Sequence, residues 1–80
     1  MKLPRDLYGD VLAEHLVRRW DYVRVHQTGS HIVLRTATPT GQTVSIPAHT
    51  PLKLGTLVSV LRSIAGHKGV SRETLLEGLL

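Results

Sequence analysis

Three features of this 80-residue chain predict an α+β domain ordered α-β-β-β-α, with its helices on one face of a three-stranded antiparallel sheet and a short extra helix at the end. Apolar residues recur at helical spacing near both ends, three short runs between them alternate with period two, and glycine-bearing turns separate those runs. A chain of this length buries only about 60% of its unfolded surface, so one core and one domain over residues 1–80 are expected.

Residues 6–20 place Leu7, Val11, Leu12, Leu16, Val17 and Trp20 on one stripe, with Asp6 as the expected N-cap. Arg18 and Arg19 suit the C-terminal dipole, and Gly9 weakens the first turn, moving the start past Leu7. Residues 22–27 and 30–36 form a hairpin about Thr28-Gly29. That loop pairs His26 with His31, Val25 with Ile32 and Val23 with Leu34. One face is then aliphatic, and Tyr22, Arg24, His26, His31, Val33 and Arg35 occupy the other.

The third strand, residues 42–47, follows a three-residue loop, Pro39-Thr40-Gly41, which pairs Thr36 with Val44 and Leu34 with Ile46. The same register carries His49 opposite His31, and Pro47 makes this strand an edge. Leu57, Val60, Leu61 and Ile64 define a helix over residues 54–64, entered after Pro51 and stopped by Gly66. Ser71 caps a last short helix bearing Leu75, Leu76 and Leu79. Three antiparallel strands with one aliphatic face need both main helices on that face, which leaves the other face open to solvent.

Hydrophobic residues at 41% and charged residues at 20% describe a globular chain rather than a disordered one. The absence of cysteine removes disulfides, thiolate nucleophiles and cysteine zinc sites together, and suits a reducing compartment. The first ten residues lack the apolar region of a signal peptide, and no apolar run approaches the roughly 20 residues that span a bilayer; a cytoplasmic protein without membrane contact is expected. The net charge of +4 is unevenly spread. All six acids lie in the first 21 or last eight residues, so residues 22–72 carry Arg24, Arg35, Lys53, Arg62, Lys68 and Arg72 with no carboxylate. Such a surface suits a phosphate backbone.

No phosphate-loop or dinucleotide glycine pattern occurs, nor a Gly-x-Ser-x-Gly elbow or a His-Glu-x-x-His pair. What remains is imidazoles beside cations. RNA cleavage needs one group to take the 2′-OH proton, another to protonate the leaving 5′ oxygen, and cations to stabilise charge on phosphorus; histidine performs either proton step near neutrality. His31 is the leading acid–base candidate, with His49 or His26 as the second group and Arg35 or Lys53 as the electrostatic clamp. His15, His26 and His67 taken singly read as ordinary surface histidines, Trp20 as core, and Ser30 as a turn residue lacking the acid a nucleophile needs. Three histidines across adjacent strands match a zinc geometry, but no carboxylate stands near to orient their rings, so no metal is expected.

The segments "TGSHIVLR", "GQTVSIPAH", "LKLGTLVSVLRSIAG" and "SRETLLEGL" resemble the HicA toxin family of toxin–antitoxin systems along nearly the whole chain. The strongest marks are Gly29-Ser30-His31, the Ile46-Pro47-x-His49 step and Lys53-x-Gly55-Thr56-Leu57. The resemblance implies a fold like the double-stranded-RNA-binding domain, ribosome-independent mRNA cleavage with His31 as the catalytic histidine, and neutralisation by a HicB-type antitoxin. Trp20-Asp21-Tyr22 and the longer "GHKGVS" connection depart from the family pattern. The expected site is therefore His31 and His49 for catalysis, with Gly29, Ser30, Arg24, Arg35, Lys53 and Lys68 on RNA and neither metal nor cofactor. A non-catalytic RNA-binding module on the same face is the alternative, and a protein-interaction domain without salt-dependent RNA affinity is a third.

Overall fold

The computed structural model describes residues 6–48 and 51–79. Its elements are α1 (Gly9–Arg19), β1 (Val23–Thr28), β2 (His31–Thr36), β3 (Gln42–Pro47), α2 (Leu54–Lys68) and α3 (Arg72–Leu75). The strands form one antiparallel sheet in the order β1-β2-β3, so the α+β arrangement read from the sequence holds. Leu12, Ala13 and Leu16 of α1, Ile32 and Leu34 of β2, Ile46 of β3, and Leu57, Leu61 and Ile64 of α2 share one buried cluster, closed at its end by Leu75 and Leu76.

α1 begins at Gly9 with Tyr8 as a cap that makes no side-chain bond, so Asp6 is not the N-cap. The reason is tertiary. Residues before the helix run extended beside residues 51 and 52: Tyr8 bridges Pro51, and the Leu52 amide donates to the Leu7 carbonyl at 2.8 Å. Leu7 is thus buried although it lies outside the helix.

His15 is only 6% exposed, not a surface residue. It lies on the inward side of α1, where its Nε2 donates to the Leu75 carbonyl at 2.7 Å. The Trp20 indole donates to the same oxygen at 3.0 Å, so two side chains of the first helical segment hold the last helix.

α2 continues through Gly66 to Lys68 and ends at Gly69, whose φ of +70° is the left-handed conformation of a helix stop. The extra turn is anchored from its side chains. The Lys68 amine donates to Thr36 Oγ1 at 2.9 Å and to the Thr38 carbonyl at 2.7 Å, and the His67 Nε2 donates to the Thr40 carbonyl at 2.9 Å. Ser71 caps α3 as expected, its Oγ accepting from the Thr74 amide at 3.1 Å.

Both hairpin registers differ from the sequence reading. Between β2 and β3, Thr36 faces Gln42, Leu34 faces Val44 and Ile32 faces Ile46, a shift of two residues that preserves the aliphatic face. Thr36 Oγ1 accepts from the Thr38 amide and from Lys68, which draws residues 37–41 off the ladder as one longer loop. His31 consequently faces Pro47 rather than His49, and His49 itself lies outside the described residues.

Between β1 and β2 the turn is Gly29-Ser30, with Gly29 at φ +48°. Thr28 faces His31, Gln27 faces Ile32 and His26 faces Val33, and then a bulge between Arg24 and His26 resets the ladder so that Arg24 faces Leu34 and Val23 faces Arg35. The helices pack mainly over β2 and β3. The bulge turns Val23 to the open side opposite Arg35 and leaves Val25 outside the ladder, so these two, expected in the core, are 60% and 53% exposed. Tyr22 goes inside instead, 2% exposed, with its hydroxyl donating to Gln42 Oε1 at 2.6 Å.

Candidate nucleic-acid interface

Cross-strand partners share a face, so the registers fix what the open side of the sheet presents. β1 contributes Val23, His26 and Thr28, β2 contributes His31, Val33 and Arg35, and β3 contributes Thr43, Ser45 and Pro47. None of these nine strand residues is an acid. Thr43 and Ser45 were not singled out from the sequence, although their alternation with Val44 and Ile46 already assigns them to this face.

His31 opens β2 at the exposed end of this face. Its Nδ1 lies 3.3 Å from Ser30 Oγ, so the neighbouring hydroxyl engages one ring nitrogen and leaves Nε2 for a substrate. The turn that carries the pair is pinned from behind: the Ala48 amide donates to the Ser30 carbonyl at 2.6 Å. Gly29, Ser30 and His31 thus sit at a turn tied to the end of β3.

The cations divide into two groups. Arg35 shares the open face and its guanidinium donates to Thr43 Oγ1 at 3.1 Å. It lies four residues from His31 along β2, about 13 Å at the rise of a strand, so it suits a neighbouring phosphate rather than the one beside His31. Lys53 is exposed and caps α2, whose first turn holds no acid and no side-chain cap. Its first backbone amides point outward, an arrangement favourable to an anion.

Arg24 and Lys68 are employed elsewhere. Arg24 stands on the helix side of β1, with its guanidinium 3.4 Å from Glu14 of α1, and not on the open face where alternation placed it. The bulge is the physical cause. Lys68 spends its hydrogens on Thr36 and Thr38, and its amine sits 4.8 Å from the centre of the Tyr22 ring. Burial lowers its pKa, against a smaller opposing pull from Asp21, and burial pushes the Tyr22 hydroxyl up to about 12.

A groove of about 820 Å³ lies along α1, where Asp10, Glu14, Arg18 and Arg19 line it, with Arg24 of β1 and the C-terminal Gly78 and Leu79 completing its wall. Glu14 already pairs with Arg18 at 3.0 Å and with Arg24, and no residue of the His31 turn lines it. Catalytic chemistry at His31 would therefore take place on an open surface. Among the described residues, no three histidines or acids gather as a metal site, and no helix is long and apolar enough to cross a membrane.

Comparison of the chain with protein-family models, with curated proteins and with solved structures returned no match.

Proposed function

We propose that this protein is a metal-independent endoribonuclease that cuts single-stranded RNA, with His31 as an acid–base group. The observation that carries the reading is the placement of His31: exposed, oriented by Ser30, and set on a face that bears Arg35 and hydroxyls but no carboxylate. An RNA strand lying there puts one phosphodiester beside a proton acceptor and a neighbouring phosphate beside Arg35, which supplies the base and the anchoring charge that in-line cleavage by the 2′-OH uses. The likeness of Gly29-Ser30-His31 and Lys53-x-Gly55-Thr56-Leu57 to the HicA pattern extends the proposal to biology: an mRNA-cleaving cytoplasmic toxin, ribosome-independent, held in check by a HicB-type antitoxin. An acidic antitoxin covering this face would neutralise Arg35 and block the path of the phosphate.

The test is cleavage of a fluorophore-labelled RNA by purified protein in EDTA, beside His31→Asn. The wild type should cut, and the variant should bind the RNA equally while cutting at least about 100-fold more slowly. Salt-dependent binding without cleavage by the wild type would show the non-catalytic RNA module instead, and the nuclease reading would be abandoned. A complex with the antitoxin in which His31 stays fully accessible to solvent would remove the occlusion mechanism.

A further inference from the structure

In a regular strand, residues two apart share a face, so Arg24 and His26 would both point toward the helices or both away. They do not. Arg24 faces Leu34, a buried core residue, whereas His26 faces Val33 on the open side, and the extra residue between them is Val25 in the bulge. The bulge thus sends the guanidinium to Glu14 and the imidazole to the face that carries His31. Re-aiming a side chain in this way is a known use of bulges beside active sites.

His26 and His31 are diagonal neighbours, because His31 faces Thr28, two residues along β1 from His26. Diagonal pairs of this kind have Cβ atoms about 7–8 Å apart, and each imidazole projects several ångströms further. Their rings can therefore reach opposite ends of one phosphodiester. None of the six acids lies on a strand: Asp6 precedes α1, Asp10 and Glu14 are on it, Asp21 precedes β1, and Glu73 and Glu77 are in the C-terminal segment.

Resting on the nuclease reading, we infer that His26, held on the open face beside the bulge at Val25, is the general acid that completes the His31 site. His31 Nε2 takes the 2′-OH proton, the 2′ oxygen attacks phosphorus, and the bond from phosphorus to the 5′ oxygen breaks. His26, as imidazolium, gives its proton to that departing oxygen. The products are a 2′,3′-cyclic phosphate and a 5′-hydroxyl, and water later returns each imidazole to its starting state. Ser30 is a positioning residue, its hydroxyl holding His31 Nδ1 so that Nε2 faces the substrate.

The experiment compares wild type, His26→Asn and His31→Asn on two RNAs of one sequence, one ordinary and one with sulfur replacing the 5′ oxygen at a single linkage. Thiolate leaves without needing a proton, so the sulfur substrate bypasses a general acid and nothing else. On ordinary RNA the wild type should show a bell-shaped pH–rate profile, and His26→Asn should lose between 100- and 10,000-fold and the high-pH limb with it. On the sulfur RNA His26→Asn should return to within about tenfold of wild type, whereas His31→Asn should stay slow. His26→Asn cutting ordinary RNA with both limbs intact would overturn the assignment and leave the nuclease reading standing. So would a slow variant that sulfur does not rescue. If the wild type cuts neither RNA, both readings fall.

Discussion

Gly9→Ala should destabilise the protein, although glycine-to-alanine changes inside helices ordinarily stabilise by about 0.5–1 kcal/mol. Gly9 is buried at the first position of α1, where a Cβ would collide with the carbonyl oxygen of Pro47, lie 2.6 Å from its carbonyl carbon and 3.0 Å from Ile46 Cγ2. The obstacle is strand backbone, which cannot swing aside as a side chain does. Carbon atoms rest about 3.5 Å apart and the oxygen lies closer still, so α1 must withdraw from β3 by at least about 1 Å, forfeiting at least a quarter to a half of the dispersion contact along its inner stripe. Leu12, Ala13 and Leu16 on that stripe are fully buried and feel the gap together. Overpacking costs about 1–3 kcal/mol, and a clash with strand backbone belongs at the upper end; about 3 kcal/mol less the helix-propensity gain of about 0.5–1 leaves a net loss near 2 kcal/mol. For a domain of this size that lowers Tm by about 8–16 °C. The assay is urea and thermal unfolding by far-ultraviolet circular dichroism, with Gly66→Ala as the reference. Gly66 also lies inside a helix but has nothing within 4 Å of a Cβ, so there the substitution should raise stability by about 0.5–1 kcal/mol. A Gly9→Ala protein as stable as the wild type would refute the packing of α1 on β3 described above.

Alkaline pH should unfold the protein through Tyr22, whose hydroxyl is pushed up to about 12 from an ordinary 10.0 by burial. Below pH 10 both states keep the proton; between 10 and 12 only the folded state does, so stability falls as pH rises, by up to roughly 2–3 kcal/mol above pH 12. Lys68, lowered by burial, acts in the opposite sense below its ordinary 10.5, and the difference between wild type and Tyr22→Phe in urea midpoints from pH 8 to 12 isolates the tyrosine. Among the cations, Arg35→Gln should reduce the salt slope of RNA binding by about 0.7 without moving Tm, whereas Lys68→Met should leave the slope unchanged and cost about 1–2 kcal/mol in unfolding, because its amine serves Thr36 and Thr38. Equal slopes for the two variants would contradict this division of labour.

The order of elements was legible because periodicity survives local error. Ile32 and Leu34, like Val44 and Ile46, recur at every second position, and the two-residue shift of β3 left them on the same face. The helix stripes were legible for the same reason, since Leu12, Leu16, Leu57, Leu61 and Ile64 needed only spacing to be placed inside. What spacing does not contain is a bulge. Val23 and Val25 alternate as well as Ile32 and Leu34 do, yet the bulge turns Val23 to the open face and leaves Val25 outside the ladder, and both stay wet. Tyr22 and His15 were misjudged because polar atoms argue for the surface until a partner is known; Gln42 and the Leu75 carbonyl are those partners, 20 and 60 residues away in sequence.

At the candidate site, the turn at Gly29-Ser30-His31 was readable, since glycine, hydroxyl and imidazole carry their chemistry in their identities. The side assigned to each β1 residue was not. Residues 22–27 alternate without a glycine or any other local mark of a bulge, so parity from either end gives a consistent and wrong assignment for one of Arg24 and His26. The bulge becomes necessary only in three dimensions, where Glu14 on α1 offers Arg24 a carboxylate on the helix side while the turn fixes Thr28 opposite His31. One strand cannot satisfy both anchors with strict alternation, because four residues separate positions 24 and 28 and alternation would put them on the same face. A single inserted residue resolves the conflict, and Arg24, just before it, is the one whose direction departs from alternation, while His26 keeps the open face. The edge strand thus decides which of its side chains that face holds: the imidazole of His26 beside His31, and not the guanidinium of Arg24, which goes to Glu14.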